Sequence, residues 1–402
     1  MKAGWQTKTL GQVCEFQRGL TYGKGDEVEL SNNIVLRAMN IDLTSHLLDF
    51  TELKYISDKI VVPGNKKVKK DSLMICTASG SKKHLGKIAY IDDDYGYAFG
   101  GFMGMLTPNS GIVPKYLFYL MTSGEYEEFI GALADGMNIN NLKFDELKQF
   151  RVPFPEPSEQ RRIVGILDKA FEGIATAKAS AEKNLINARA LFASHLQSVF
   201  NQRREGWDEA TIGQHIRFID YRGRTPEKTD RGLRLITAKN VKMGFLQDEP
   251  REYVALDSYD AWMTRGIPRR GDVLFTTEAP LANVAQLDTD EKVVFAQRII
   301  VLQPDASVMD SAFLKYLLLS QPVQERIRTK GTGATVQGIK ARLLKTIEIS
   351  FPPSLVVQRQ IVSKLDALRI ETQRLESVYQ RKLTAIDALK KSLLNHAFSG
   401  EM

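Results

Sequence analysis

Lys66, Lys67, Lys69 and Lys70 place four cationic side chains within five consecutive residues, and Lys82 and Lys83 form a second basic pair before His84. Farther along, Arg217, Arg222 and Arg224 surround Tyr221, and Arg269 and Arg270 follow; near the start, Arg18 precedes Tyr22. Clustered ammonium and guanidinium groups neutralise phosphates, and an arginine beside a turn glycine can reach a base edge. A single basic run is ordinarily a solvated face. Basic clusters in both halves of the chain point instead to a polyanion. The overall balance agrees mildly, 55 Lys+Arg against 48 Asp+Glu giving +7.

A second set of candidates sits on two turns. Residues 135–143 include Asn138, Asn140 and Lys143, and residues 331–340 include Thr335, Gln337 and Lys340. Small polar side chains on a glycine-permitted loop suit hydrogen bonds to bases or phosphates. They equally suit an ordinary loop that caps the next helix through Asn138 or Thr335.

Enzyme chemistry is not legible. The chain has no GxxxxGK[ST] phosphate loop and neither the Asn-Pro-Pro-aromatic nor the Asp-Pro-Pro-Tyr tetrapeptide of amino-methyltransferases. FGGFMG at 99–104 lies in a strand-like stretch without a downstream partner for a cofactor loop. Five scattered histidines show no paired-ligand spacing, so no metal ligand and no catalytic residue is assigned. Cys14 and Cys76 read as structural thiols in a reducing compartment. With no apolar signal core and no apolar run of bilayer length, a cytoplasmic protein is expected.

The elements that must position these residues are written twice. Gly4-Trp5 and Thr9-Leu10-Gly11-Gln12 return as Gly206-Trp207 and Thr211-Ile212-Gly213-Gln214. Arg18-Gly19-Leu20-Thr21 returns as Arg222-Gly223-Arg224-Thr225, LRAMNI (36–41) as ITAKNV (236–241), and YLFYLMTS (116–123) as FLKYLLLS (313–320). The offset stays within 196–204 throughout. Each copy begins with short β-branched and aromatic runs bounded by Gly, Asn, Asp and Pro, which read as strands. A helical stretch follows (114–133 and 311–328), with Pro114 suited to a first turn.

Each copy ends on a long helix. Ile163, Leu167, Ala170, Ile174, Ala177, Ala181, Asn184, Ala188 and Leu191 step by 4 and 3. So do Ile361, Leu365, Leu368, Thr372, Leu375, Tyr379, Lys382, Ile386, Leu389 and Leu393. That spacing is a coiled-coil seam, over helices of roughly 40 residues and 60 Å. The fold class expected is therefore α+β: two repeated domains, 1–155 and 204–353, separated by long helices, 156–203 and 354–402. The helices are expected to pair antiparallel, giving a pseudo-twofold arrangement. Such a spacer suits a ruler that reads two separated DNA sites, roughly 1.7 turns of duplex apart. It also suits a structural adaptor whose two heads bind protein.

PFPEPSEQRRIVGILD (153–168), FPPSLVVQRQIVSKLDAL (351–368), TGATVQGIK (332–340) and the terminal LKKSLLNHAFSGEM (389–402) resemble the specificity subunit of type I restriction–modification enzymes. The resemblance covers the whole chain. It implies that each domain reads one half of a split, asymmetric site on double-stranded DNA, with the helix pair setting the unread gap. It implies two methyltransferase subunits bringing S-adenosylmethionine, and translocating nuclease subunits using ATP and Mg, with no cofactor on this chain. Gln160, Arg161, Gln358 and Arg359 would form the docking surface for the methyltransferases.

Overall fold

The computed structural model describes residues 4–80, 83–135, 141–201, 205–221, 225–296, 298–333 and 337–402. The chain forms two compact units, Met1–Glu182 with Arg381–Met402, and Lys183–Gln380. Each unit takes one α+β head and a segment of both long helices, Pro157–Phe200 and Leu355–Ser399.

In the first unit, strand Gln6–Thr9 pairs antiparallel with Arg151–Phe154, closing the beginning of the head on its end. An antiparallel sheet runs in the order Cys14–Arg18, Met103–Pro108, Ser72–Cys76, Ile88–Ile91. A second sheet runs Glu27–Val28, Lys54–Ile56, Asn33–Leu36, Ala98–Phe99, the last pair parallel. Ser72–Cys76 is buried on both faces, and its alternation divides the core. Leu73 and Ile75 pack with the head helices, Met74 and Cys76 with Leu36 and Phe99. Side chains of period two make this split unavoidable. The helical stretch is two helices, Pro114–Leu120 with proline in its first turn, and Gly124–Asp135.

The second unit repeats the plan. Asp208–Thr211 pairs with Glu348–Phe351, and one sheet runs Ile216–Asp220, Ile299–Pro304, Val273–Thr276, Val284–Gln286. The other runs Glu252–Val254, Leu233–Ile236, Val293–Phe295, again with its last pair parallel. Helices Ser311–Leu319 and Gln321–Lys330 follow.

The recurring Thr-x-Gly-Gln tetrapeptide has a local cause. The Thr9 and Thr211 backbone N–H groups donate to Gln12 and Gln214 Oε1 at 2.8 and 2.5 Å, closing capping boxes. Between them, Gly11 and Gly213 donate to the carbonyls of Lys148 and Lys345, so close that a Cβ would lie 2.9 Å from a lysine Cβ in either copy.

Within each unit the helix segments run antiparallel. Lys178 bridges Asp387 at 2.9 Å in the first, and Arg189 bridges Glu376 at 3.2 Å in the second. The seam follows every expected residue up to Ala181 and Tyr379, and beyond them keeps Ala188, Ile386 and Leu393. The alternate expected positions Asn184, Leu191, Lys382 and Leu389 are exposed, and their next neighbours Leu185, Phe192, Leu383 and Lys390 turn inward, as do Leu196 and Leu394. An α-helix of 3.6 residues per turn drifts about 20° per heptad from a 3.5 repeat, and an extra step of four restores the contact. The expected polar seam residues Asn184 and Lys382 are thus solvent-facing; Thr372 is buried, its hydroxyl on the Arg369 carbonyl at 3.0 Å.

Candidate nucleic-acid interface

In the second unit, Arg217 at the exposed face of its strand and Arg269–Arg270 on the turn before Val273 line one open groove of ≈ 640 Å³. Arg359 from the long helix lines it too. Arg270 pairs with Asp290 at 3.0 Å and Arg359 with Asp310 at 3.4 Å. Arg217 and Arg269 have no acidic partner among the described residues. Three carboxylates line the groove, Asp272, Asp305 and Asp310; Asp272 accepts from neutral donors, the Arg269 N–H and Gln303 Nε2, both at 2.7 Å. Arg217 and Arg269 are thus not held in ion pairs and are free to reach a phosphate, although the Asp272 and Asp305 charges lower the groove's net positive charge.

In the first unit, Lys67, Lys69 and Lys70 are exposed. Lys66 is committed, its ammonium donating to the Arg18 carbonyl at 2.8 Å. Arg18 in turn lies over the Phe144 ring, 4.9 Å from the centroid. Gly19 beside it is buried against Gly100, whose carbonyl lies 1.9 Å from where a Cβ would sit, so this glycine serves close packing. Lys83 is exposed, and Lys143 approaches Glu146 at 3.7 Å. Tyr22 borders a separate groove of ≈ 740 Å³. Lys82, Asn138, Asn140, Arg222, Arg224 and Thr335 lie outside the described residues.

Three expected contact residues are structural instead. Tyr221 is buried, its hydroxyl donating to the Gly266 carbonyl at 2.7 Å and accepting from the N–H groups of Arg265 and Gly266, which pins a turn. Gln160 is fully buried: Oε1 accepts from the Val113 N–H at 2.7 Å, and Nε2 donates to the Gly111 and Pro155 carbonyls at 2.9 and 2.8 Å. Gln358 does the same with Asp310 N–H, Val308 and Pro352 at 2.8, 2.9 and 2.8 Å. Both amides tie the long helix to its own head, leaving no surface for a partner. Arg161 is exposed. Asp168 and Asp366, about two turns farther on, add a second tie by accepting from the Tyr119 and Tyr316 hydroxyls.

The described ends of the two turns are matched. Lys143 and Lys340 occupy the N-cap positions of the short helices that follow. The Leu142 and Ile339 N–H groups donate to the Thr77 and Thr277 carbonyls at 2.7 and 2.9 Å, anchoring both turns beside equivalent strand ends. Gln337 is exposed on its turn.

Burial pushes the Cys14 and Cys76 thiols up to about 12 and about 11, leaving them protonated and unreactive. Among the described residues, no helix is long and apolar enough to cross a membrane.

Residues 2–188 and 264–384 match the type I restriction modification DNA specificity domain. The chain belongs to this family. It is 25% identical over 99% of its length to the type I restriction enzyme StySPI specificity subunit of Salmonella potsdam, covering 89% of that protein. The EcoKI specificity subunit of Escherichia coli K12 is 24% identical, with the same coverage of both chains. Among solved structures, a chain from work on complex assembly and conformational transition of the type I R-M system has a TM-score of 0.78 at 19% identity, covering 100% of this chain and 99% of that one. The HsdS subunit of Thermoanaerobacter tengcongensis follows at 0.64 and 19%, covering 100% and 98%. DNA sequence recognition is the role of the specificity-subunit family, whose members are non-catalytic.

Sequence reasoning passed over Arg37, Met39 and Phe102, which line the Tyr22 groove together with His84 of the second basic run. A signal was present. Within the matched LRAMNI and ITAKNV segments, position 37 is arginine in one copy and threonine in the other.

Proposed function

We propose that each unit reads one half of a bipartite site on double-stranded DNA, and that this chain delivers that choice to catalytic partner subunits without catalysing anything itself. What carries the reading is the internal pairing of constant frame and changed surface. The two heads share strand order, capping boxes, buried glutamine ties and an exposed basic pair, Lys69-Lys70 and Arg269-Arg270, while other exposed side chains differ at matched positions: Glu15 and Lys67 in one head stand where Arg217 and Ile267 stand in the other. Two modules of one design with different exposed side chains on the same frame suit two different half-sites.

The long helices set the unread gap and receive two methyltransferase subunits, in this reading. Ile186 and Ile370, 65% and 68% exposed, and Leu191, Val356 and Val357 support a docking role, because apolar side chains facing outward on a helix want a protein cover. S-adenosylmethionine sits on the methyltransferases, and ATP and Mg on translocase/nuclease subunits.

The test is site selection from randomised duplexes by the chain assembled with its methyltransferase subunits, over a salt series. The reading expects two specified blocks around a fixed unspecified gap, and log K falling linearly with log salt at about 0.9 per neutralised phosphate. A single continuous block, or no enrichment at any salt, rejects it.

A further inference from the structure

The groove of ≈ 740 Å³ in the first head is lined by Tyr22, Arg37, Met39, His84 and Phe102, among others. Phe102 is 74% exposed and Met39 is also exposed, unusual positions for apolar side chains that have a core within reach. The groove's acid, Glu27, is already neutralised by Lys54 at 2.6 Å. Arg37 has no carboxylate partner among the described residues; its Nη2 rests 2.9 Å from the Met39 sulfur, and its Nε is buried without any acceptor. His84 Nδ1 is likewise buried and unpartnered. Unmet hydrogen-bonding capacity of this kind is costly in a fold unless a ligand satisfies it.

The internal repeat shows which parts of this groove are frame and which are free to vary. Asn40 is buried, accepts from the Arg37 N–H at 2.8 Å and donates to the Asp49 and Glu52 carbonyls. Asn240 holds Thr237 in the same way at 3.0 Å and donates to the Gln247 and Pro250 carbonyls. Across the groove, the Phe102 carbonyl accepts from the Thr77 N–H and hydroxyl, both at 2.9 Å; the Arg298 carbonyl accepts from Thr277 at 2.8 and 3.3 Å. Identical buried turns thus present Arg37, Met39 and Phe102 in one head, and Thr237, Lys239 and Arg298 in the other. A buried frame held constant under changed side chains is what two readers of different sequences require.

We infer that Arg37 is a specificity-determining residue of the first head, donating two N–H groups to the N7 and O6 acceptors of a guanine in its half-site, with Phe102 and Met39 packing beside that base. Arginine is the side chain whose planar fork matches the guanine edge bidentately. The inference rests on the proposal that this head binds DNA.

Its test uses the chain assembled with its methyltransferase subunits and a randomised duplex library, comparing wild type with Arg37→Thr and Arg37→Lys. Arg37→Thr places in the first head the residue that the second head already carries on the same frame, so an unchanged melting temperature is expected. Both variants should lose preference for guanine at one position of one half-site by about 5- to 150-fold, the worth of one bidentate pair, with every other position intact. Arg37→Lys keeps the charge and the fold, and carries the test alone if Arg37→Thr melts early. Preferences unchanged at every position, affinity reduced uniformly with preferences intact, or a wild-type half-site without guanine on either strand would each overturn the inference. A wild-type complex that selects no sequence overturns the parent reading, and is distinguishable because it appears before any substitution is made.

Discussion

Replacing Gln160 by alanine should cost the first unit about 3–5 kcal/mol. The side chain is fully buried and satisfies three backbone groups: the Val113 N–H and the carbonyls of Gly111 and Pro155. A buried polar group left unpaired costs about 1–3 kcal/mol, and carbonyls tolerate the loss better than N–H groups, which places the sum at the upper end for a single substitution. Gln160→Glu is the sharper variant. It keeps the acceptor for Val113 but faces two carbonyl oxygens with a carboxylate oxygen, a repulsion relieved only when the acid is protonated. The neighbouring Arg161, exposed, should change stability by no more than about 0.5 kcal/mol as alanine. Urea unfolding of the full chain, followed by circular dichroism, measures all three. Because the Gln358 amide makes the same set of bonds in the other unit, its alanine variant should destabilise that unit by a similar amount. A Gln160→Ala variant within about 1 kcal/mol of wild type, together with loss of methyltransferase binding, would refute the argument and restore this residue to a docking surface.

Reversing charge at Lys67, Lys69 and Lys70 should weaken binding to every duplex alike and lower the salt slope by up to about 0.9 for each phosphate no longer neutralised; anisotropy titrations with an unchanged slope would remove these lysines from the interface. Exchanging residues 1–155 for the corresponding head of another family member should change one specified block of the selected site and leave the other; a change in both contradicts the assignment of one head to one half-site. His46 is held below its ordinary pKa chiefly by burial, with the Lys87 charge adding to it. The unfolded chain therefore binds a proton near pH 6.5 that the folded one refuses, so stability from this residue is present above about pH 6.5 and is lost as pH falls through the folded value. His46→Gln should flatten the melting-temperature profile between about pH 7 and 5; a profile as steep as wild type would show that another group sets it.

The architecture was legible because it is written as repetition and period. Thr9-Leu10-Gly11-Gln12 and its echo are a capping box plus a close approach, both local devices, and such devices leave a clear trace in sequence. The long helices were legible in kind and length, but the seam was not legible to its end. A 4-3 reading continued past Ala181 and Tyr379 assigns Asn184 and Lys382 inward, because the drift of a straight helix against a 3.5 repeat accumulates with no marker in composition. Gln160 and Gln358 stand out as a repeated motif, but repetition does not separate a surface shared with a partner from a buried tie shared with the fold. Their burial depends on Pro155 and Pro352 carbonyls brought close by the strand-to-helix turn. Tyr221, flanked by arginines, looked like an interface aromatic; its hydroxyl is spent on the Gly266 turn, 45 residues away. Arg37 was the converse case, a residue unremarkable by composition whose meaning comes from Asn40 holding the same turn as Asn240 around a different side chain.

Sequencing the methylome of cells with and without this chain tests the central claim most directly. The account predicts one methylated motif made of two short specified blocks separated by a gap of constant length, present with the chain and absent without it. A methylome unchanged by its removal, or a vanished motif that is one uninterrupted block, would contradict it.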